Sequence, residues 1–378
     1  MLLANNEQMK LVSFAGCSLE EIRPFRKKKF YCPICQEEVI LKAGGYVTAH
    51  FAHKHQSICT NQGEGSYHET GKWTLYQWFL NQHIKAEVEV FIPVAKQRAD
   101  ILLQIGNKQI AIEYQCASIS EQEVRRRTLG FLKNSITPIW ILGGNRMKRL
   151  AAQKLHIEKI FLHQWSSKHS PTLYYFCPIQ KQFATYHITT AYSSDFLQFI
   201  SLKDVTFTKL LTPHPAPYTE INWLKNVQAF RKKPPPTHIG NDERQWRQWL
   251  YQHHLYPPLL PSICFLPVRY QFRMKCPGWM WQSMIVFQLM QRTGISFRLK
   301  DCHQLLASKI VPLSSTPLIR SMSDPIQEYL DRLVELGILL KYNSTYICKF
   351  PISLPTTIDE AISQDRSCWN KLKVSSKW

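Results

Sequence analysis

RADILLQIGNKQIAIEYQC, residues Arg98 to Cys116, reads as two strands joined by a tight turn. Apolar residues crowd both runs, and the short GNKQ connection between them predicts an antiparallel hairpin. The pattern continues on both sides. Upstream, AEVEVFI (86–92) alternates apolar and polar as a half-buried strand does. Before it, HETGKWTLYQWFLNQ (68–82) gathers Trp73, Tyr76, Trp78, Phe79 and Leu80 largely on one side of a helix. Downstream, SISEQEVRRRTLGFLK (118–133) is a helix with Ser118 or Ser120 as N-cap and acidic residues in its first turn. TPIWILGG (137–144) is an apolar strand closed by glycines. The predicted order is helix, three strands, helix, strand: an α/β layer in which a hairpin feeds a central sheet.

That hairpin also carries the candidate chemistry. Asp100 lies on its first strand and Glu113 on its second, so two carboxylates can converge on one divalent ion. Hard oxygen donors suit Mg²⁺ or Mn²⁺, which can activate water and offset charge on a phosphodiester. Glu113 and Gln115 are two apart, so both side chains leave one face of the strand. Gln115 can hydrogen-bond water or phosphate but supplies no charge. Glu64, His68 and Lys72 recur every four residues. His68 and Lys72 share a helix face, Glu64 precedes the helix and could reach the same metal, and Lys72 could supply the charge that Gln115 lacks. A cap followed by a solvated helix face is the alternative. Arg98 and the run Arg125, Arg126, Arg127 are candidate contacts to DNA phosphates, with a solvated basic patch as their alternative.

Ahead of this layer, Cys32 and Cys35 form CPIC, and His50 and His53 follow in HFAH. Two thiolates and two imidazoles can close a tetrahedral Zn²⁺ shell, which leaves no open position and points to a structural site. His55 and Cys59 lie close enough to replace one of the four.

The 378 residues carry a formal charge of +20, a surplus that attracts polyanions, nucleic acid first among them. Hydrophobic content of 44% excludes a disordered chain. The eleven cysteines are odd in number and spread out, and MLLANNEQMKLVSFAG has no signal-peptide pattern. These features predict a reducing cytoplasmic setting. No apolar run is long enough for a membrane span.

Four regions follow: a zinc-binding element (1–62), a nuclease domain (63–165), a hairpin with a Pro-rich basic linker (166–240), and a mainly helical C-terminal domain (241–378). In the last, WMWQSMIVFQLMQR, RLKDCHQLLA and DPIQEYLDRLVELG read as helices and ILLKYNSTYICKF as a hairpin, which is the outline of a winged helix. Asp324 is the expected N-cap of the third helix, with Pro325 at its first position and Gly337 past its end.

The succession CPIC…HFAH, Glu64-x3-His68-x3-Lys72, QRADIL, IAIEYQCASIS and PIWILGG resembles the competence protein CoiA family, over roughly the first 165 residues. The resemblance implies a bacterial cytoplasmic protein that processes incoming DNA during natural transformation. It also implies a zinc-binding N-terminal element and a restriction-endonuclease-like core. By motif match Asp100, Glu113 and Gln115 are the core catalytic positions, with Glu64, His68 and Lys72 associated. The family also carries Gln where related nucleases carry Lys. The expected partner is single-stranded or branched DNA. An adaptor that keeps the fold, binds DNA without cutting it and recruits recombination proteins is the alternative function.

Overall fold

A computed structural model describes residues 1–33, 35–45, 47–54, 65–151, 154–164, 170–188, 196–212, 220–233, 239–319 and 324–375. The N-terminal part holds β1 (Ala4–Asn5), β2 (Leu11–Val12), a short α1 (Leu19–Ile22), β3 (Phe30–Tyr31), β4 (Glu38–Gly44) and β5 (Val47–His53). The strands pair antiparallel in the order β2-β1-β3-β4-β5. Their core is aromatic: Phe14, Phe30 and Phe51 are buried with ring centroids 5.0 to 5.9 Å apart.

Next come α2 (Ser66–Leu80), β6 (Lys85–Ile92), β7 (Gln97–Ile105), β8 (Lys108–Gln115), α3 (Glu121–Lys133) and β9 (Ile136–Gly143), the element order expected from the sequence. The β7–β8 hairpin is antiparallel and turns at Gly106, whose φ of +55° lies in the left-handed region that glycine enters without steric cost. After α3 crosses over, β9 lies parallel to β8, with Glu113 beside Trp140. Ser120, not Ser118, caps α3, its hydroxyl accepting the Glu123 N–H.

The sheet does not stop at residue 165. After a small ribbon of β10 (Arg149–Ala151) and β11 (Lys154–Leu155), the strands β12 (Thr172–Cys177), β13 (Gln182–His187) and β14 (Phe196–Ser201) extend it. The seven-stranded order is β14-β13-β12-β9-β8-β7-β6. The physical reason is that the apolar edge of β9 needs a partner, and β12 joins it in parallel register. The hairpin read as part of a connecting region therefore belongs to the central layer. Then α4 (Phe207–Leu211) closes the layer, with Phe207 against Trp78 and Phe79.

The linker assignment also ends early on its other side. Residues of α5 (Glu220–Lys232) enter the C-terminal core, where Trp223 and Val227 are buried. Arg231 pairs through two 2.7 Å hydrogen bonds with Asp365. Of the Pro-rich stretch, residues 234–236 lie outside the described residues. After α6 (Asn241–Gln252), the chain runs α7 (Gly278–Leu289), β15 (Ser296–Arg298), α8 (Leu299–Leu305), α9 (Pro325–Glu335), β16 (Leu339–Tyr342), β17 (Thr345–Cys348) and α10 (Ile358–Ser375). The three strands order β15-β17-β16. Asp324 caps α9 with its carboxylate on the Ile326 N–H, and Gly337 takes a φ of +71°, both as expected. Among the described residues, no helix is long and apolar enough to cross a membrane.

Candidate functional site

Candidate chemistry gathers at two sites, a thiol–imidazole cluster and a carboxylate fork. In the first, Cys32 follows β3, Cys35 sits in the turn before β4, and His53 ends β5. Their ligand atoms all lie within 4.8 Å of one another, with Cys35 Sγ 3.3 Å from His53 Nε2. Zinc bonds of about 2.3 Å to sulfur and 2.0 Å to nitrogen give a tetrahedron with edges near 3.5 Å, so the cluster fits that ion.

His50 is not part of the cluster. The HFAH segment is extended, and on a strand residues three apart face opposite sides. The His50 ring turns instead to the Thr48 carbonyl, to which Nδ1 donates at 2.9 Å. The expected ligand pair on one side of the ion is thereby undone. His55 and Cys59 lie outside the described residues.

The second site forms where β7 parts from its neighbours. The β7–β8 ladder runs from Ile105↔Lys108 to Ile101↔Ile112 and stops, so the next step, Asp100 facing Glu113, is not made. The Asp100 side chain fills the gap: its Oδ2 accepts the Tyr114 N–H at 2.9 Å. On the other side, the β6–β7 ladder passes from Val88↔Ile101 to Val90↔Ala99 across Glu89, which adopts a left-handed φ of +54°. The hairpin turns over at this step: Val88 and Ile101 face α2, whereas Val90 and Ala99 belong to the cluster with Phe131 of α3.

Around the fork, α2 brings His68, whose Nε2 lies 3.6 Å from Asp100 Oδ2 and whose ring stacks on Tyr114 at 5.5 Å. The close approach requires Gly71, because a Cβ there would stand 2.1 Å from the Tyr114 ring. From the opposite face α3 brings Arg127, which donates to Glu113 Oε2 and, at 3.0 Å, to the Arg98 carbonyl. Burial opposes the Arg127 charge, but Glu113 and Asp100 outweigh it and raise the guanidinium pKa further. Glu113 is only 2% exposed. Gln115 donates its side-chain amide to Ala117 O at 2.8 Å. Just beyond, burial pushes the Cys116 thiol up to about 11 against the opposing pull of His68.

Lys72 is not on a solvated helix face. It is 0% exposed, with Nζ 2.6 Å from Glu89 Oε1 and 3.2 Å from Glu69 Oε2. Glu89 also accepts the Leu2 and Leu3 N–H groups at 2.9 and 3.1 Å, and the Met1 ammonium is 2.8 Å from Glu69 Oε1. These contacts tie the N-terminal part to α2 and β6. Arg98 points into the same cluster, 3.6 Å from Glu89 Oε2. Of the four arginines expected on phosphates, Arg98 and Arg127 therefore face inward. Arg126 is exposed but pairs with Glu123 at 2.7 Å, and Arg125 is half-buried. Glu64 lies outside the described residues.

Sequence reasoning missed Glu69, Glu89 and the role of Arg127. Glu89 is one of two glutamates in an alternating strand, and nothing local separates it from Glu87. Arg127 meets Glu113 only because the α3 crossover folds back over β8.

Three family models match consecutive parts of the chain. They are described as the N-terminal domain (residues 14–62), the nuclease-like domain (64–215) and the C-terminal domain (219–362) of competence protein CoiA. The nuclease-like match runs through β14, the last strand of the seven-stranded sheet in the chain, and includes α4. Competence protein CoiA of Bacillus subtilis (strain 168) is 28% identical over 367 residues, covering 93% of this chain and 98% of that protein. No solved structure matches the chain.

Proposed function

The chain belongs to the competence protein CoiA family, and from that membership we propose that it processes incoming DNA with a divalent-metal-dependent nuclease site at the Asp100–Glu113 fork. The observation that carries the proposal is the interrupted ladder. Two carboxylates sit where β7 leaves β8, with Arg127 acting on both and His68 beside Asp100. On this view the αβββαβ order is a restriction-endonuclease-like core, and α7 to β17 form a winged helix. The Cys32, Cys35 and His53 cluster holds a structural zinc.

Asp100 and Glu113 are the donors that would hold Mg²⁺ or Mn²⁺, hard ions that need few protein ligands. Bound there, the ion would supply Lewis-acid polarisation of a phosphodiester and a more acidic water. Arg127 provides the positive charge that Gln115 lacks, so the lysine of related sites is replaced from a different element. His68 can hold or pass a proton at Nε2, beside Asp100. Gln115, its amide nitrogen engaged by Ala117 O, offers its oxygen as an acceptor for water. Lys72 stabilises the joint between α2 and β6 and takes no part in the chemistry.

A non-catalytic DNA-binding adaptor that recruits recombination proteins is favoured by one observation: Arg127 already holds Glu113, so an ion must displace or share that contact. A cleavage assay separates the two roles. Labelled single-stranded, duplex and branched DNA are incubated with Mg²⁺ or Mn²⁺ and wild-type chain, Asp100→Ala or Glu113→Ala. Cleavage by wild type alone, with all three folded and binding DNA, supports the nuclease. Salt-sensitive binding without cleavage on any substrate assigns the adaptor.

A further inference from the structure

A cleft of about 350 Å³ opens beside the carboxylate fork. It lies at the carboxyl edge of the parallel strands β9 and β12, where α/β sheets commonly receive ligands. Tyr67, Asn145, Met147, Tyr175, Gln182 and Phe199 are among its lining residues. Tyr67 precedes His68 on α2, so the cleft begins one residue from the side chain that faces Asp100. Its wall is tight on that side. A Cβ on Gly144 would stand 3.2 Å from the Tyr67 hydroxyl, and one on Gly143 2.7 Å from Cys116 Sγ.

The lining chemistry is specific. It combines aromatic rings with side-chain amides, and among the described residues no carboxylate or imidazole lines it. Phe199 is 42% exposed, so part of its ring is open to a stacking partner. The Arg149 guanidinium sits 5.6 Å above that ring, and Lys148 and Lys181 are exposed nearby in sequence. A planar heteroaromatic with donors and acceptors on its edge and an anionic backbone behind it satisfies all of these features. The volume is at the low end of small-ligand sites, about 300–1,000 Å³, which suits a single base.

We propose that this cleft is a nucleobase subsite that receives one base of single-stranded DNA, stacked on Phe199, while the adjoining phosphodiester lies at Asp100 and Glu113. The placement of the phosphodiester rests on the nuclease proposal above; base binding does not. Bases stacked inside a duplex must be unstacked to enter, whereas those of a single strand are already free to turn in. The site therefore prefers single-stranded over duplex DNA of equal charge.

The test is fluorescence anisotropy with the full, zinc-loaded chain and no added Mg²⁺ or Mn²⁺, so that no cleavage occurs. The probes are labelled oligothymidylate, an abasic strand of the same length, and a duplex. Wild type should bind oligothymidylate more tightly than either of the others. Phe199→Ala should lose about 5- to 150-fold on oligothymidylate, the range for one stacked base, and should bring it level with the abasic strand. Equal binding of oligothymidylate and abasic strand by wild type would overturn the subsite. So would an unchanged affinity of folded Phe199→Ala for oligothymidylate. A parallel Mg²⁺ cleavage reaction keeps the two proposals distinct. Base-dependent binding without cleavage upholds the subsite and removes the nuclease; cleavage with base-independent binding does the reverse.

Discussion

Replacing Lys72 by Met gives the sharpest test of how this layer is held together. The ammonium is wholly buried between Glu69 and Glu89, so its loss leaves two carboxylates in the interior with less compensation. Breaking a buried pair by removing one partner costs about 3–5 kcal/mol. The lower end applies here, because Arg98 still lies 3.6 Å from Glu89 and the Met1 ammonium 2.8 Å from Glu69. For a cooperative unit of 150–250 residues, each kcal/mol moves Tm by about 2–4 °C, so about 3 kcal/mol predicts a drop of about 6–12 °C. Met nearly matches the lysine stem, which keeps the cavity contribution small. Thermal melting by circular dichroism reads the shift. The double variant Lys72→Met/Glu89→Gln, which removes one of the two stranded charges, should recover part of it. A Lys72→Met protein that melts with wild type but has lost DNA cleavage would refute the structural role and restore lysine to the chemistry.

Three further outcomes follow from the same geometry. Arg127→Gln should lower Tm by leaving Glu113 without its guanidinium; millimolar Mg²⁺ should restore part of the loss, and Arg127→Gln/Glu113→Gln should show no such rescue in the same melting assay. Zinc measured by mass spectrometry should accompany wild type and His50→Ala, and should be lost from Cys35→Ser and His53→Ala, since only the latter two remove members of the cluster. The Cys116 thiol, raised to about 11 chiefly by burial, should label with iodoacetamide at pH 8.5 about 100-fold more slowly than a free cysteine, as read by peptide mapping. Because the folded pKa lies above the unfolded one, this group's linkage lowers stability as pH rises from about 8.5 towards 11 and has no effect below that window.

The sequence by itself determined the local elements. Period-two alternation in AEVEVFI and the two apolar runs of RADILLQIGNKQIAIEYQC read as strands, and Asp324-Pro325 with Gly337 bracketed α9. It also put Asp100 and Glu113 on adjacent strands and placed CPIC before a histidine pair, because spacing along one hairpin or turn is a short-range property. Partners distant in the chain were decided by the tertiary structure. The edge of β9 recruited β12 to β14 from a region that reads locally as a separate hairpin, and α5 joined the C-terminal core through Arg231 and Asp365. Extended backbone in β5 sent His50 and His53 to opposite sides, a consequence of strand geometry that a spacing rule for loops does not contain. The charges changed roles for the same reason. A lysine or arginine on an exposed helix face and one buried against carboxylates have the same local sequence signature. Whether Lys72, Arg98 and Arg127 face water or Glu89 and Glu113 depends on which surfaces the sheet brings over them.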